Sequence, residues 1–337
     1  MAAKAVGTRP TLKTVAAEAG VSTATVSFVL SGRADIGISA ETKARVRAAA
    51  QRQRYVPNAA AQATRTGRTG IIQLSLWVWS DPWSQALATE VTKAANAHGL
   101  TATVIMGQDW YQACERMRPD VAFVGVVGDR KAELAKLKRL VERGQRFVVF
   151  DEHLKPAGYD VFRSLAMDGT RLAIEYLLSH TDQVGCIYTG GDDEFSRVRV
   201  FREAMADRGL TVREDWVVNC VENFASAFDA AEKLLSREDR PRAIFTTSDL
   251  IGIPAIHAAQ RLGLRVPEDV EVIGIGNTPD AGQIHPGLST VGPQHLFESI
   301  ADALIEQALA APSELRDGRQ FDFEWHIVER ESTSRSV

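Results

Sequence analysis

Residues 11–31 run Thr11-Leu12-Lys13-Thr14-Val15-Ala16-Ala17-Glu18-Ala19-Gly20-Val21-Ser22-Thr23-Ala24-Thr25-Val26-Ser27-Phe28-Val29-Leu30-Ser31. Leu12, Val15, Ala16 and Ala19 recur at helical spacing, and Gly20 follows as a residue that ends a helix in the left-handed region. Ser22 then caps a second short helix with Val26, Val29 and Leu30 on its buried side. Two helices joined by so tight a glycine turn predict a helix-turn-helix, whose second helix fits a major groove. Ser39, followed by Glu41, starts a third helix to about Gln53, with Val46 inward and Lys43, Arg45, Arg47 and Arg52 outward.

The charge distribution agrees with this reading. Residues 1–69 hold eleven Lys and Arg against three acidic residues, a net of +8, inside a 337-residue chain whose net charge is −4. The remaining residues carry a net of −12. A small basic module on a large acidic body suits a polyanion, since each neutralised phosphate releases condensed counterions. Tyr55-Val56-Pro57-Asn58 breaks the third helix, and Ala59–Thr64 is one short helical piece that orders only on DNA or against a partner chain. Arg65-Thr66-Gly67-Arg68-Thr69-Gly70 reads as a polar linker.

From Ile71 onward apolar runs alternate with helix-length stretches. Eight strands are expected: Ile71–Trp77, Thr101–Met106, Val121–Val127, Phe147–Phe150, Val184–Thr189, Trp216–Cys220, Ala243–Thr247 and Val270–Ile275. Their spacing predicts parallel, doubly wound sheets. The strands fall into two groups of four, parted near Val161–Met167, so the expected fold class is α/β with two lobes. A cleft at the strand C-termini is where such a fold holds a ligand.

The pattern Thr11-Leu12-x-x-Val15-Ala16-x-x-Ala19-Gly20-Val21-Ser22-x-x-Thr25-Val26-Ser27 closely resembles the LacI family, as do Tyr55-x-Pro57-Asn58 and Ala61. Further matches are Asp168–Ala173, Arg197-x-x-x-Phe201 with Ala204 and Gly209-Leu210, Ser248-Asp249, Gly263–Val270, His285–Val291 and Val328–Ser332. The resemblance covers nearly the whole chain. It implies a DNA-binding head over residues 1–56, a hinge helix and linker over 57–70, and a periplasmic-binding-protein-like core. The N-lobe is expected over 71–163 with about 293–318, and the C-lobe over 164–292 with about 319–332, joined by three crossovers. The implied function is a ligand-responsive transcriptional repressor acting as a homodimer on a pseudo-palindromic operator, with hinge helices in the minor groove.

That resemblance also assigns residues. Leu12, Lys13, Ser22, Thr23, Ala24, Thr25, Ser27, Phe28, Ser31, Ser39, Thr42, Tyr55, Asn58, Ala61 and Thr64 are expected at double-stranded operator DNA. The hydroxyls of Ser22, Thr25, Ser39 and Thr42 suit phosphates, and the small Thr23 and Ala24 suit thymine methyls. Phe28 stands where the family often carries an arginine or other polar residue, and either touches bases or packs on the third helix. Thr64 replaces the family's usual leucine wedge between base steps, with Arg65 and Arg68 left to phosphate contacts.

For the effector, a sugar or related metabolite, the resemblance points to Trp79, Trp83, Asp168, Arg197, Phe224, Ser248, Asp249 and Asn277. The segment Trp77–Trp83 offers aromatic faces for a sugar or purine ring, and Arg197 offers five donors. Gly276 stands where the family usually shows an effector-bonding aspartate, with Asn277 as a neutral substitute. Glu222 and Phe224 both fall where the family often has a capping aromatic.

Other chemistries are poorly supported. Gly190-Gly191-Asp192-Asp193-Glu194-Phe195 is the diguanylate cyclase signature with one residue inserted, and a strand-to-helix loop needs no catalytic explanation. Gly274-x-Gly276 lacks the third glycine of a dinucleotide loop. Asp249 and His257 lack an accompanying nucleophile motif. Cys114, Cys186 and Cys220 are far apart, and the histidines are isolated from metal-ligand spacing. No enzyme activity, cofactor or metal is expected. The absence of a signal segment and of any long apolar run predicts a cytoplasmic, nucleoid-associated protein with no membrane partner. The missing leucine-heptad tail predicts a dimer. An activator of the same family, or a solute-binding protein of the same core fold, is the alternative.

Overall fold

The computed structural model describes residues 10–30, 37–56, 63, 66–76, 79–107, 109–125, 130–163, 165–190, 196–311 and 317–333. The chain divides into two compact units, residues 1–69 and 70–337.

In the first unit, helix α1 (Leu12–Ala19) opens on a reciprocal cap: Thr14 N donates to Thr11 Oγ1 at 3.3 Å and Thr11 N to Thr14 Oγ1 at 3.0 Å. Gly20, at φ +66°, ends it without the steric cost a Cβ would bring. Val21 N returns to Ala16 O at 3.1 Å and turns the chain into α2 (Thr23–Leu30). Ser39 opens α3 (Ala40–Arg52) by accepting from Thr42 N at 3.2 Å. Val15, Ala16, Ala19, Val26, Val29, Val46, Ala49 and Ala50 form the core. Their small side chains let the three helices approach closely. Thr14 and Glu18 on α1 bond Arg52 and Gln53 at the end of α3, a polar latch outside this core.

The second unit alternates strands and helices: β1 (Ile71–Leu76), α4 (Pro82–Ala97), β2 (Thr101–Met106), α5 (Trp110–Met117), β3 (Val121–Gly125), α6 (Arg130–Val141), β4 (Phe147–Phe150) and β5 (Asp160–Arg163). The chain continues through α7 (Ala166–Leu178), β6 (Val184–Thr189), α8 (Arg197–Asp207), β7 (Val217–Cys220), α9 (Phe224–Leu235), β8 (Ala243–Thr246), α10 (Asp249–Arg261) and β9 (Glu271–Ile275). It ends with β10 (Ser289–Pro293), α11 (Leu296–Leu309), β11 (Gln320–Asp322) and β12 (Trp325–Val328). One six-stranded sheet has the order β11-β5-β4-β3-β1-β2, the other β12-β10-β9-β8-β6-β7. Every pairing is parallel except β10 with β12. Helices α4 and α11 bury apolar side chains on one face of the first sheet, α5 and α6 on the other. In the second sheet the faces are taken by α9 with α10 and by α7 with α8.

The sheets therefore hold six strands each, where four were expected. The four additional strands are short or polar, and pairing rather than composition makes them strands. β11 reads Gln-Phe-Asp, and Gln320 pairs with Val161 in parallel register. Phe321 stacks on Phe162 with ring centroids 4.4 Å apart. This contact keeps the chain in the N-lobe past residue 319, and the return to the C-lobe falls at Phe323–Glu324. The Val328–Ser332 match, which the LacI resemblance reads as the C-terminal strand, overlaps the last strand only at Val328, since β12 spans Trp325–Val328. Trp216 belongs to a 3-10 turn, Glu214–Trp216, ahead of β7. Among the described residues no helix is long and apolar enough to cross a membrane.

Candidate functional site

On the head, Lys13, Ser22, Thr23, Ala24 and Ser39 are exposed, while Thr25, Ser27, Phe28 and Thr42 are half-buried. Thr23 and Ala24 occupy the first turn of α2, whose other face carries the buried Val26 and Val29. Two hydroxyl pairs stand at helix starts, one at α2 and one at α3. Ser22 Oγ and Thr25 Oγ1 lie 2.9 Å apart, and Ser39 Oγ donates to Thr42 Oγ1 at 3.0 Å. Each pair keeps one hydroxyl hydrogen for an outside acceptor such as a phosphate. Leu12 and Tyr55 are half-buried and pack against the head's core. Ser31, Asn58, Ala61 and Thr64 lie outside the described residues.

In the second unit, the C-terminal ends of the strands carry the polar groups. Asp81 caps α4, accepting from Trp83 N at 3.2 Å, Ser84 N at 3.1 Å and Ser84 Oγ at 2.9 Å. Glu152, beyond β4, accepts from Leu165 N at 2.8 Å and Ala166 N at 3.2 Å, and so caps α7 across the first crossover. Arg197 begins α8, and its guanidinium donates to Thr247 O at the end of β8. Burial lowers the Arg197 pKa, opposed by the negative charges of Glu152, Glu222, Asp249 and Asp81. The negative charges acting on this guanidinium thus come two from each lobe. Beside it, the buried Thr247 Oγ1 and Ser248 Oγ have no hydrogen-bond partner among the described residues.

Asp249 follows Ser248 and is 1% exposed. It accepts from Thr278 N at 2.8 Å, Thr278 Oγ1 at 3.0 Å and Thr290 Oγ1 at 2.6 Å. Burial raises its pKa, against the pull of these donors and of Arg330. The carboxylate is therefore committed to the protein, joining α10 to β10 and to the turn after β9. Gly274 and Gly276 make this possible, because a Cβ there would stand 2.4 Å and 3.3 Å from the Asp249 oxygens.

Several expected contacts fall elsewhere. Asp168 is exposed in the first turn of α7 and is not among the charges acting on Arg197. Asn277 accepts from Arg330 Nη2 at 3.2 Å. Phe224 stacks on Phe228, centroids 6.4 Å apart, and lies 5.9 Å from His257, two helical turns along α10 from Asp249. Glu222 takes the place near Arg197 that either residue was expected to fill. Trp83 packs with Phe150 at 5.0 Å and Phe297 at 5.6 Å in the N-lobe, while Trp79 is 71% exposed. Asp81 and Glu152 were not among the expected cleft residues, and Glu222 was named only as the alternative to Phe224. For Asp81 and Glu152 the only signal was a place in the segments that follow β1 and β4.

No group of three or more His, Cys, Asp or Glu able to hold a metal occurs among the described residues. Burial pushes the Cys114 thiol up to about 12 and the Cys220 thiol up to about 11, so neither is a nucleophile at neutral pH. A cavity of about 510 Å³ opens at the opposite end of the C-lobe sheet, beside Val184, Trp216 and Arg242, and is remote from Arg197 by strand polarity.

Residues 11–58 match the family model described as bacterial regulatory proteins, lacI family, and residues 176–333 match the periplasmic binding protein-like domain. The HTH-type transcriptional repressor PurR of Pectobacterium carotovorum subsp. carotovorum (strain PC1) is 30% identical over 96% of this chain and 97% of its own length. The lac repressor dimer bound to operator and the anti-inducer ONPF has a TM-score of 0.74 at 21% identity, covering 96% of this chain and 99% of that one. The transcriptional regulator CelR in complex with cellobiose has a TM-score of 0.63 at 24% identity, covering 96% and 100%.

Proposed function

The chain belongs to the LacI family of bacterial regulatory proteins, and from that premise we propose that it is a homodimeric repressor whose affinity for a pseudo-palindromic operator is set by a small molecule in the interlobe cleft. The observation that carries the proposal is the exposed first turn of α2, framed by capping hydroxyls on a head of net charge +8. Two such heads related by a twofold axis place their second helices in successive major grooves. The repressor names of the relatives favour repression over activation. The cleft reading is supported by Arg197, whose one hydrogen bond among the described residues, to Thr247 O, leaves most of its donors for a ligand.

The test is DNA binding by the full chain to fragments of its own genome at several salt concentrations. Specific binding should weaken by about a thousandfold between 50 and 200 mM salt, as for a protein with several phosphate contacts. The absence of salt-sensitive binding to every fragment, with and without candidate effectors, overturns the regulator reading. For the cleft, a ligand that raises the melting temperature should lose that effect in Arg197→Ala, since a ligand selective for the native state stabilises it by mass action.

A further inference from the structure

The cleft can be read by asking which of its polar groups the protein has already used. Asp81 and Glu152 are consumed by the helix starts they cap. Asp249 is consumed by two threonines. Among the described residues, Arg197 has one backbone partner, and Thr247, 6% exposed, and Ser248 have hydroxyls with none.

Glu222, which is exposed to solvent, is the uncommitted carboxylate of this set: among the described residues it makes no hydrogen bond or ion pair. It sits at the apex of a tight turn after β7, and that turn is fixed on both sides. Val221 N donates to Ser226 Oγ at 3.0 Å, Asn223 N to Val221 O at 2.7 Å, and Ser226 N to Asn223 Oδ1 at 2.9 Å. Strands β6 and β7 are adjacent and parallel, with Thr189 opposite Cys220. The Glu222 turn and the start of α8 at Arg197 therefore leave the same edge of the sheet. Partial desolvation of this exposed side chain and the Asp81 charge raise the Glu222 pKa, and the Arg197 charge opposes them. Phe224, which would have supplied an aromatic wall, is stacked on α9 and α10 instead.

We infer that Glu222 is the specificity-determining group of the cleft and that it receives a protonated amine, so that the effector is a polyhydroxylated amine rather than a sugar acid or sugar phosphate. The hydroxyls of such a ligand suit Arg197, Thr247 and Ser248, and its ammonium gives Glu222 a charge-assisted partner. An anionic effector would meet Asp81, Glu152, Glu222 and Asp249 against one guanidinium. This inference rests on the cleft reading proposed above.

The experiment is calorimetry and thermal shift on the full chain with glucosamine, galactosamine and mannosamine, each beside its neutral parent hexose, its N-acetyl derivative and its 6-phosphate. At least one amine should bind about tenfold or more tightly than its parent. Its affinity should fall as pH is lowered and Glu222 takes up a proton. Glu222→Gln should bring the amine to the level of the parent and flatten the pH profile, and Glu222→Asp should restore part of the preference. Unliganded melting of each variant separates lost recognition from lost folding. If parent, N-acetyl or phosphate forms bind as well as the amines or better, and Arg197→Ala abolishes that binding, the Glu222 inference fails while the cleft reading stands. Amine binding that survives Arg197→Ala places the ligand elsewhere and overturns both. No binding by any member of the set overturns the inference.

Discussion

The carboxylate of Asp249 fills the space in which a Cβ on Gly274 would stand, 2.4 Å from Oδ1. The same Cβ would lie 3.0 Å from Leu288 Cδ2, so it has no free direction. Gly274→Ala should therefore displace a buried carboxylate from the hydroxyls of Thr278 and Thr290 and destabilise the chain by about 2–3 kcal/mol. Denaturant unfolding measures this directly. A loss below about 0.5 kcal/mol, the range of an ordinary surface change, would mean that the carboxylate is not held there in solution.

Gly276 makes a related case. The LacI resemblance places an aspartate at this position, yet here φ is +133° and Asp249 Oδ2 lies 3.3 Å from a Cβ. Gly276→Asp should strain the backbone by about 1–3 kcal/mol and set two carboxylates side by side. Burial already raises the Asp249 pKa, and a second negative charge raises it further. A carboxyl with a raised folded pKa contributes stability that is present below the unfolded value and lost as pH rises through the folded one. The variant's penalty should therefore grow between pH 4 and pH 8. A penalty independent of pH would leave backbone strain as its whole cause.

The head was legible because its signals are local. Gly20 and Ser22 lie two residues apart, and the apolar spacing around them needs no information from elsewhere. The parallel sheets were legible for the same reason, each long strand being an apolar run between helices. The crossovers were less so: Gln320–Asp322 is a strand only because Val161 and Phe162 lie beside it. Within the proposed cleft, family motifs point to Arg197 and Ser248, while no motif points to Asp81 or Glu152. Those two lie in the segments after β1 and β4, where no local pattern relates one to the other. The choice between Glu222 and Phe224 depended on a turn closed by Ser226, which no periodicity reveals.

Glu152 spans the first crossover by accepting from Leu165 N and Ala166 N. Leu165 has φ +51° and brings no side-chain cap of its own, so α7 relies on this distant carboxylate. Glu152→Ala should leave two helix-start donors without their acceptor and lower stability by about 1–2 kcal/mol. Hydrogen exchange at the Leu165 and Ala166 amides should accelerate by about tenfold, and amides in β6 should not change. Protection retained at both positions would show that another acceptor takes over.

Ser22 fixes the first turn of α2 through Thr25 N at 3.1 Å and Thr25 Oγ1 at 2.9 Å. Ser22→Ala should cost the helix about 1 kcal/mol and weaken binding to any DNA the chain recognises. Ser22→Asp retains the cap and places a negative charge among the phosphates. Comparing melting with DNA affinity therefore separates the two roles: Asp should melt near the wild type yet bind DNA more weakly than Ala. If Asp binds as well as Ser, this turn does not face the phosphates.

At the far end of the C-lobe, Arg213 and Arg237 alternate with Asp215 and Asp239 in a closed ion ring. Hydrogen bonds from Arg213 and then Arg237 hold the Asp239 pKa down at about 2, from an ordinary 3.8. A depressed carboxyl contributes stability above its unfolded pKa and loses it as pH falls through the folded one, here from 3.8 toward about 2. The ring is exposed and screened by salt, so its signature is the titration more than the melting temperature. Carbon NMR of the Asp239 carboxyl should find it about nine-tenths ionised at pH 3, against about one-seventh for an ordinary aspartate. Arg213→Ala removes the leading donor and should move the titration upward, as should molar salt. An Asp239 that already titrates at the ordinary value in the wild type would show that the ring does not persist in solution.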